Sequence, residues 1–174
     1  HVIAIGECGL DYNRDFSPRD VQRSVFRRQL ALAEKLDLPV YLHERDASDD
    51  MLSILKEFSI RGVLHCFTGN SAALKQYLDL GLYIGITGWV CDERRGKDLQ
   101  QLVPSIPLDR LLIETDAPFL IPRTVKPKPK SRKNEPALLP YICQTVAQLY
   151  QIDEEVVARK TTENFHRVFG LEDR

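Results

Sequence analysis

A chain of 174 residues, 43% hydrophobic and 28% charged, has the composition of an ordinary soluble globular protein with room for one sizeable core. Its formal net charge of −1 excludes a global field that gathers nucleic acid, so any polyanion contact must come from a local basic patch. No apolar run approaches the roughly 20 residues of a membrane helix. With no signal-peptide pattern and with Cys8, Cys66, Cys91 and Cys143 in no C-x-x-C spacing, the expectation is a cytoplasmic protein with reduced thiols and no membrane contact.

Five short runs rich in Val, Ile, Leu or Tyr read as strands: Val2–Gly6, Pro39–His43, Gly62–His65, Leu82–Ile86 and Arg110–Glu114. Near-continuous hydrophobicity suits strands buried on both faces of a parallel sheet. Between the first two, Ser17 reads as a helix N-cap with Pro18 at the first helical position. The helix that follows carries Val21, Val25, Phe26, Leu30, Ala33 and Leu36 as its core stripe. Further helices are expected over about 47–58, from Ser71 to a left-handed cap at Gly81, over about 94–103, and through 135–169.

This order predicts a single α/β domain over 1–174 with a parallel sheet. An open doubly wound sheet would place a Gly-rich phosphate turn after an early strand. The early turn here is Gly6-Glu7-Cys8-Gly9-Leu10-Asp11, which lacks that spacing and carries two carboxylates. A TIM-barrel-like fold puts its chemistry at the C-terminal ends of strands, although a whole barrel has eight strands and this sequence offers about five. The expectation is therefore the C-terminal portion of such a barrel.

Four of the five strands end near a metal-ligand residue: Glu7, His43, His65 and Asp116. Parallel strands point their C-termini to one face, so these groups can converge. Imidazole and carboxylate together suit one or two divalent cations, with Mg²⁺ favouring the oxygens and Mn²⁺, Zn²⁺ or Ni²⁺ accepting the nitrogens. Glu44, Arg45, Asp46 and Glu114 lie close enough in sequence to orient the histidines. Asp11 either orients a ligand or makes a turn around Gly9.

The segments GECGLDY (6–12), LHERDA (42–47), LHCFTG (64–69), YIGITGWVCDERRG (83–96), LLIETDAP (111–118) and SRKNEPA (131–137) resemble those of the TatD family of metal-dependent deoxyribonucleases. The likeness runs to about Phe169. It implies a metallo-hydrolase barrel in which Glu7 bridges two metals, His43 and His65 complete one site, and Asp116 serves the other and acts as general base. It also implies three earlier strands with an H-x-H-like pair and a G-x-H-P loop, neither of which this sequence contains. His1 does not stand in for them.

The implied activity is hydrolysis of DNA phosphodiesters from a 3′ end, on single-stranded DNA or 3′ ends, with Glu7 and Asp116 as catalytic residues. The alternatives are a small-substrate hydrolase on the same barrel, or a non-catalytic remnant acting as a binding module. Substrate contacts are expected from Arg45, from Arg94 and Arg95 beside Trp89, and from the loop that starts at Lys126. Five of the eight residues in 126–133 are cationic, among them Lys126, Lys128, Lys130 and Arg132. The oligomeric state is left open.

Overall fold

The structure, a computed structural model, describes residues 2–171; His1 lies outside them. Strands and helices alternate as β1 (Ile5–Asp11), α1 (Arg19–Leu36), β2 (Val40–Arg45), α2 (Ser48–Leu55), β3 (Gly62–Leu64), α3 (Ser71–Asp79), β4 (Tyr83–Ile86), α4 (Lys97–Leu102) and β5 (Leu111–Ile113). Two helices follow, α5 (Leu139–Tyr150) and α6 (Glu154–Phe169). The chain divides into two compact units: residues up to Tyr83 together with those from Phe165 onward, and Ile84–Asn164.

In the first unit β1, β2 and β3 run parallel with β2 in the middle. Leu10, Phe26, Leu30, Ala33, Val40, Leu42 and Met51 are fully buried where α1 and α2 cover the strands. The β1–β2 register pairs Gly6 with Tyr41 and then jumps to Cys8 with Leu42, which leaves Glu7 as the extra residue of a bulge. In the second unit β4 and β5 pair in parallel, Ile84 with Leu111 and Ile86 with Ile113. Helix α5 lays Ile142, Cys143, Val146 and Ala147 into that core. Buried Asn164 donates from Nδ2 to the carbonyls of Leu108 (2.9 Å) and Leu111 (2.8 Å), fixing the start of β5.

Several expectations change. The first strand is Ile5–Asp11, so Glu7 lies inside it and not after it. Ser17 does not cap α1. Pro18 is the capping residue, and the Ser17 carbonyl accepts instead from Gln22 Nε2 (2.8 Å). The C-terminal helical stretch breaks at Gln151, which takes the left-handed conformation (φ 57°). Gly81 does adopt the positive φ expected just past α3. All four cysteines are free thiols.

Helix α1 is apolar on two adjacent stripes, and only one faces the strands. Phe26, Leu30 and Ala33 are buried, whereas Val21, Val25, Leu32 and Leu36 are each more than two fifths exposed. Successive helical residues are about 100° apart, so Val25 and Phe26 cannot both face the same layer. The expected stripe therefore merged two. Leu30→Ala should cost about 2–5 kcal/mol by opening a cavity. Leu32→Ala should stay within about 0.5 kcal/mol as a surface change. Urea unfolding of the two variants compares them directly, and equal losses would contradict this reading of the helix.

Candidate metal centre

Strand alternation places the site. In β1, Cys8 and Leu10 are buried on one side while Glu7, Gly9 and Asp11 occupy the other. In β2, Tyr41 and His43 alternate with buried Val40 and Leu42. Gly9 is the register partner of His43. A Cβ at Gly9, whose φ is +152°, would overlap the His43 carbonyl, so only glycine admits this approach of the two backbones. The His43 ring then lies between the two carboxylates that flank Gly9 on the same face. Its Nδ1 is 3.1 Å from Glu7 Oε1, and its Nε2 is 3.1 Å from Asp11 Oδ2.

His65 follows β3 directly, and its backbone N–H donates to the Leu42 carbonyl (2.9 Å). Its ring is buried, stacked on Tyr41 with centroids 5.0 Å apart. His65 Nε2 lies 3.2 Å from His43 Nδ1 and 3.1 Å from Glu7 Oε1. Glu7, His43 and His65 thus form a triangle of donor atoms with edges of 3.1–3.2 Å. Ligands about 2.1 Å from one cation sit about 3.0 Å apart in octahedral and about 3.4 Å apart in tetrahedral geometry. The triangle falls between, so the residues present fit a divalent cation. The same distances suit a hydrogen bond from the His65 Nε2–H, so a cation bound there would take the place of that proton.

Asp11 makes a turn and also contacts the His43 ring. Oδ1 accepts from the backbone N–H of Asn13 (3.1 Å) and Arg14 (2.8 Å), an Asx-type turn, while Oδ2 faces His43. Burial works to raise its pKa, but the N–H of Arg14 and the contacts with His43 and Asn13 outweigh this and hold it below the usual carboxylate value. An ionised Asp11 accepting the Nε2 proton of His43 leaves Nδ1 bare toward Glu7 and His65. Of the neighbours expected for that task, Glu44 and Asp46 are engaged elsewhere. Glu44 accepts from the Ala47 N–H (2.7 Å) and faces the Tyr77 hydroxyl (3.4 Å); Asp46 accepts from Asn13 Nδ2 (2.9 Å). Arg45 is exposed at the end of β2.

The remaining expected residues belong to the second unit. Asp116 sits in the turn after β5 with φ 57°, half-buried, and its carbonyl accepts from the Phe119 N–H (2.9 Å). Buried Asn134 fastens that turn, donating from Nδ2 to the carbonyls of Thr115 (2.8 Å) and Phe119 (2.7 Å), while its own N–H donates to Pro118 (3.0 Å). The sequence shows Asn134 only as part of the SRKNEPA segment and gives no sign of this clamp. Arg94 and Arg95 are exposed around buried Asp92, and the Arg95 guanidinium lies 4.7 Å from the centre of the Trp89 ring. Lys126, Lys128, Lys130 and Arg132 are exposed on the long loop that ends at Asn134.

Asp92 anchors this arginine turn. Burial acts to raise its pKa, but the backbone and side-chain N–H groups of Arg94 and Arg95 prevail and hold it well below its ordinary 3.8. A depressed folded pKa gives stability that is present above the unfolded value and lost as pH falls through the folded one. Wild type should therefore exceed Asp92→Asn in melting temperature by a constant margin above about pH 5, narrowing below 3.8. A margin that widens in acid would contradict this role for Asp92.

Comparison with known proteins adds the relationship. The family described as TatD related DNase matches residues 1–170. The chain is 53% identical to a protein of Klebsiella pneumoniae and 56% identical to one of Yersinia pseudotuberculosis, both named 3′-5′ ssDNA/RNA exonuclease TatD. Each match takes in 98% of this chain and 66% of the relative, so the chain spans about two thirds of their length. A crystal structure of a TatD homologue from Escherichia coli superposes with TM-score 0.87 at 28% identity, over 97% of this chain and 64% of that one. A TatD family hydrolase from Entamoeba histolytica gives TM-score 0.88 at 30% identity, over 98% and 64%. The α/β, TIM-barrel-like fold class is the one these hydrolases share.

Proposed function

We propose that this chain, which belongs to the TatD-related DNase family, carries the metal site of a divalent-metal-dependent nuclease that hydrolyses phosphodiester bonds at the 3′ end of single-stranded nucleic acid. The observation that supports it most is the donor triangle of Glu7, His43 and His65, built on strands that share no sequence neighbourhood. The relatives' name supplies the substrate class.

In this reading Glu7, His43 and His65 would hold a cation, with Mg²⁺ as the first assignment from the family likeness and Mn²⁺, Zn²⁺ or Ni²⁺ as ions that two imidazoles also accept. When bound, such an ion supplies a Lewis acid for a phosphoryl oxygen and brings the pKa of water toward about 7. Asp11 keeps the His43 ring in one tautomer and orientation. Asp116 is assigned as a ligand for a second cation and as the acceptor of the proton from the attacking water. Arg45, Arg94, Arg95, Lys126, Lys128, Lys130 and Arg132 are assigned to substrate phosphates, with Trp89 as a surface for a base.

The test is hydrolysis of a 3′-labelled single-stranded oligonucleotide by the 174-residue chain with Mg²⁺ or Mn²⁺. Turnover should cease in EDTA and fall about 10²- to 10⁴-fold in Asp116→Asn, the range for removal of a general base. Replacing Lys126, Lys128, Lys130 and Arg132 by Gln should flatten the salt dependence of binding by about 0.7 log units for each phosphate no longer neutralised. Turnover that persists in EDTA would overturn the proposal. So would metal-loaded protein that cleaves no oligonucleotide.

A further inference from the structure

The segment between β1 and α1 has a feature that the metal site does not use. Phe16 is 89% exposed, the largest exposure among the bulky apolar side chains described. It is not on a slack loop. At one end the Asp11 carboxylate gathers the N–H groups of Asn13 and Arg14. Gln22 of α1 accepts from the Asp11 N–H (2.9 Å) and donates to the carbonyls of Asp11 (3.2 Å) and Ser17 (2.8 Å), tying both ends of the segment together. Arg19 pairs with Asp15 (2.9 Å), donates to the Tyr12 carbonyl (3.3 Å) and lies over the Tyr12 ring (4.3 Å to its centre). An apolar ring presented to water from a backbone fastened this way is placed, not merely left over.

What it is placed beside gives it a use. Phe16 and Arg14 line one cleft of about 320 Å³ with Glu7, Gly9, Asp11 and His43, within the roughly 300–1,000 Å³ of small-ligand sites. Among the described residues, Arg14 is the only Lys or Arg lining this cleft, and its side chain is half exposed, with only a loose 3.8 Å pairing to Asp11. The cleft therefore joins a flat aromatic face, one available guanidinium and the candidate metal ligands. A nucleotide has a matching set of parts: a flat base, a flanking phosphate and a scissile phosphodiester.

We propose that Phe16 and Arg14 form a nucleotide subsite, in which the ring of Phe16 stacks on the base next to the scissile phosphate and Arg14 holds the neighbouring phosphate. This rests on the nuclease reading above and adds how that site takes hold of a single strand without regard to its sequence. Stacking uses the face that every base has, so the subsite selects unstacked nucleotides and does not select one base.

The experiment is binding of the 174-residue chain, in EDTA so that nothing is cleaved, to two single-stranded oligonucleotides of equal length. One carries 2-aminopurine in its last two 3′ positions; the other is abasic there. Wild type should quench the 2-aminopurine fluorescence. Phe16→Leu should abolish the quenching and weaken that oligonucleotide about 5- to 150-fold, the range of one base–aromatic stack. It should bind the abasic one as wild type does, and Phe16→Trp should restore both quenching and affinity. Arg14→Gln should weaken both oligonucleotides and lower the salt slope by about 0.7. Equal weakening of both oligonucleotides by Phe16→Leu would make the ring a structural element and overturn the proposal, as would no effect on either. Wild type that binds and quenches yet never cleaves with metal leaves the subsite standing and removes the nuclease reading. Cleavage unaffected by removal of Phe16 overturns only the subsite.

Discussion

The site depends on the close approach of Gly9 to the backbone of His43. Parallel strands hold their neighbours at a fixed spacing. A side chain at position 9 would push β1 from β2 at the very register step where His43 must sit. With glycine there, the His43 ring lies between Glu7 and Asp11, which alternation sets on the same face two residues either side. One carboxylate meets Nδ1 and the other meets Nε2. The pattern E-x-G-x-D is thus a piece of strand geometry: a candidate ligand, a gap and a carboxylate that fixes the His43 ring, read off every second residue. The bulge at Glu7 adds the one irregularity, freeing that residue from the ladder next to the triangle.

The charges follow the same division. The triangle is electron-rich, which favours a small cation at that point. Arg14 and Arg45 follow it closely in sequence, whereas the other cationic side chains assigned to phosphates are distant in sequence: Arg94 and Arg95 turned around a buried Asp92, and the lysines of the long loop before Asn134. Asp92 and Asn134 have the matching structural task in the second unit. Each is a buried polar side chain that holds a turn, and each turn carries a residue with a functional assignment.

Much of this is legible in the sequence, and the reasons differ by residue. The five strands and the helices between them follow from apolar runs and breaks, and His65 stands where its apolar run places it, just after β3. Glu7 has the expected ligand chemistry but not the expected position at a strand end. A bulge has no periodic signal, and the polar residues Glu7 and Asp11 hide the continuation of β1 to Asp11. Asp11 is legible as either an orienting group or a turn former, and its even spacing to Glu7 places it on the His43 face once β1 is known to extend that far. On α1 the merging of two stripes comes from counting apolar residues without separating neighbours about 100° apart. The clamp by Asn134 has no sequence signal beyond an amide in a loop, because its partners are carbonyls 15 and 19 residues away.

The central claim is that Glu7, His43 and His65 form one cation site, with His43 oriented from behind by Asp11. Anomalous diffraction from crystals of this chain soaked in Zn²⁺ tests it most directly. One peak is expected about 2.1 Å from His43 Nδ1 and His65 Nε2 and in contact with Glu7, with His43 Nε2 still on Asp11. A peak on His43 Nε2 with Asp11 displaced, or full Zn²⁺ occupancy elsewhere with this triangle empty, would contradict it.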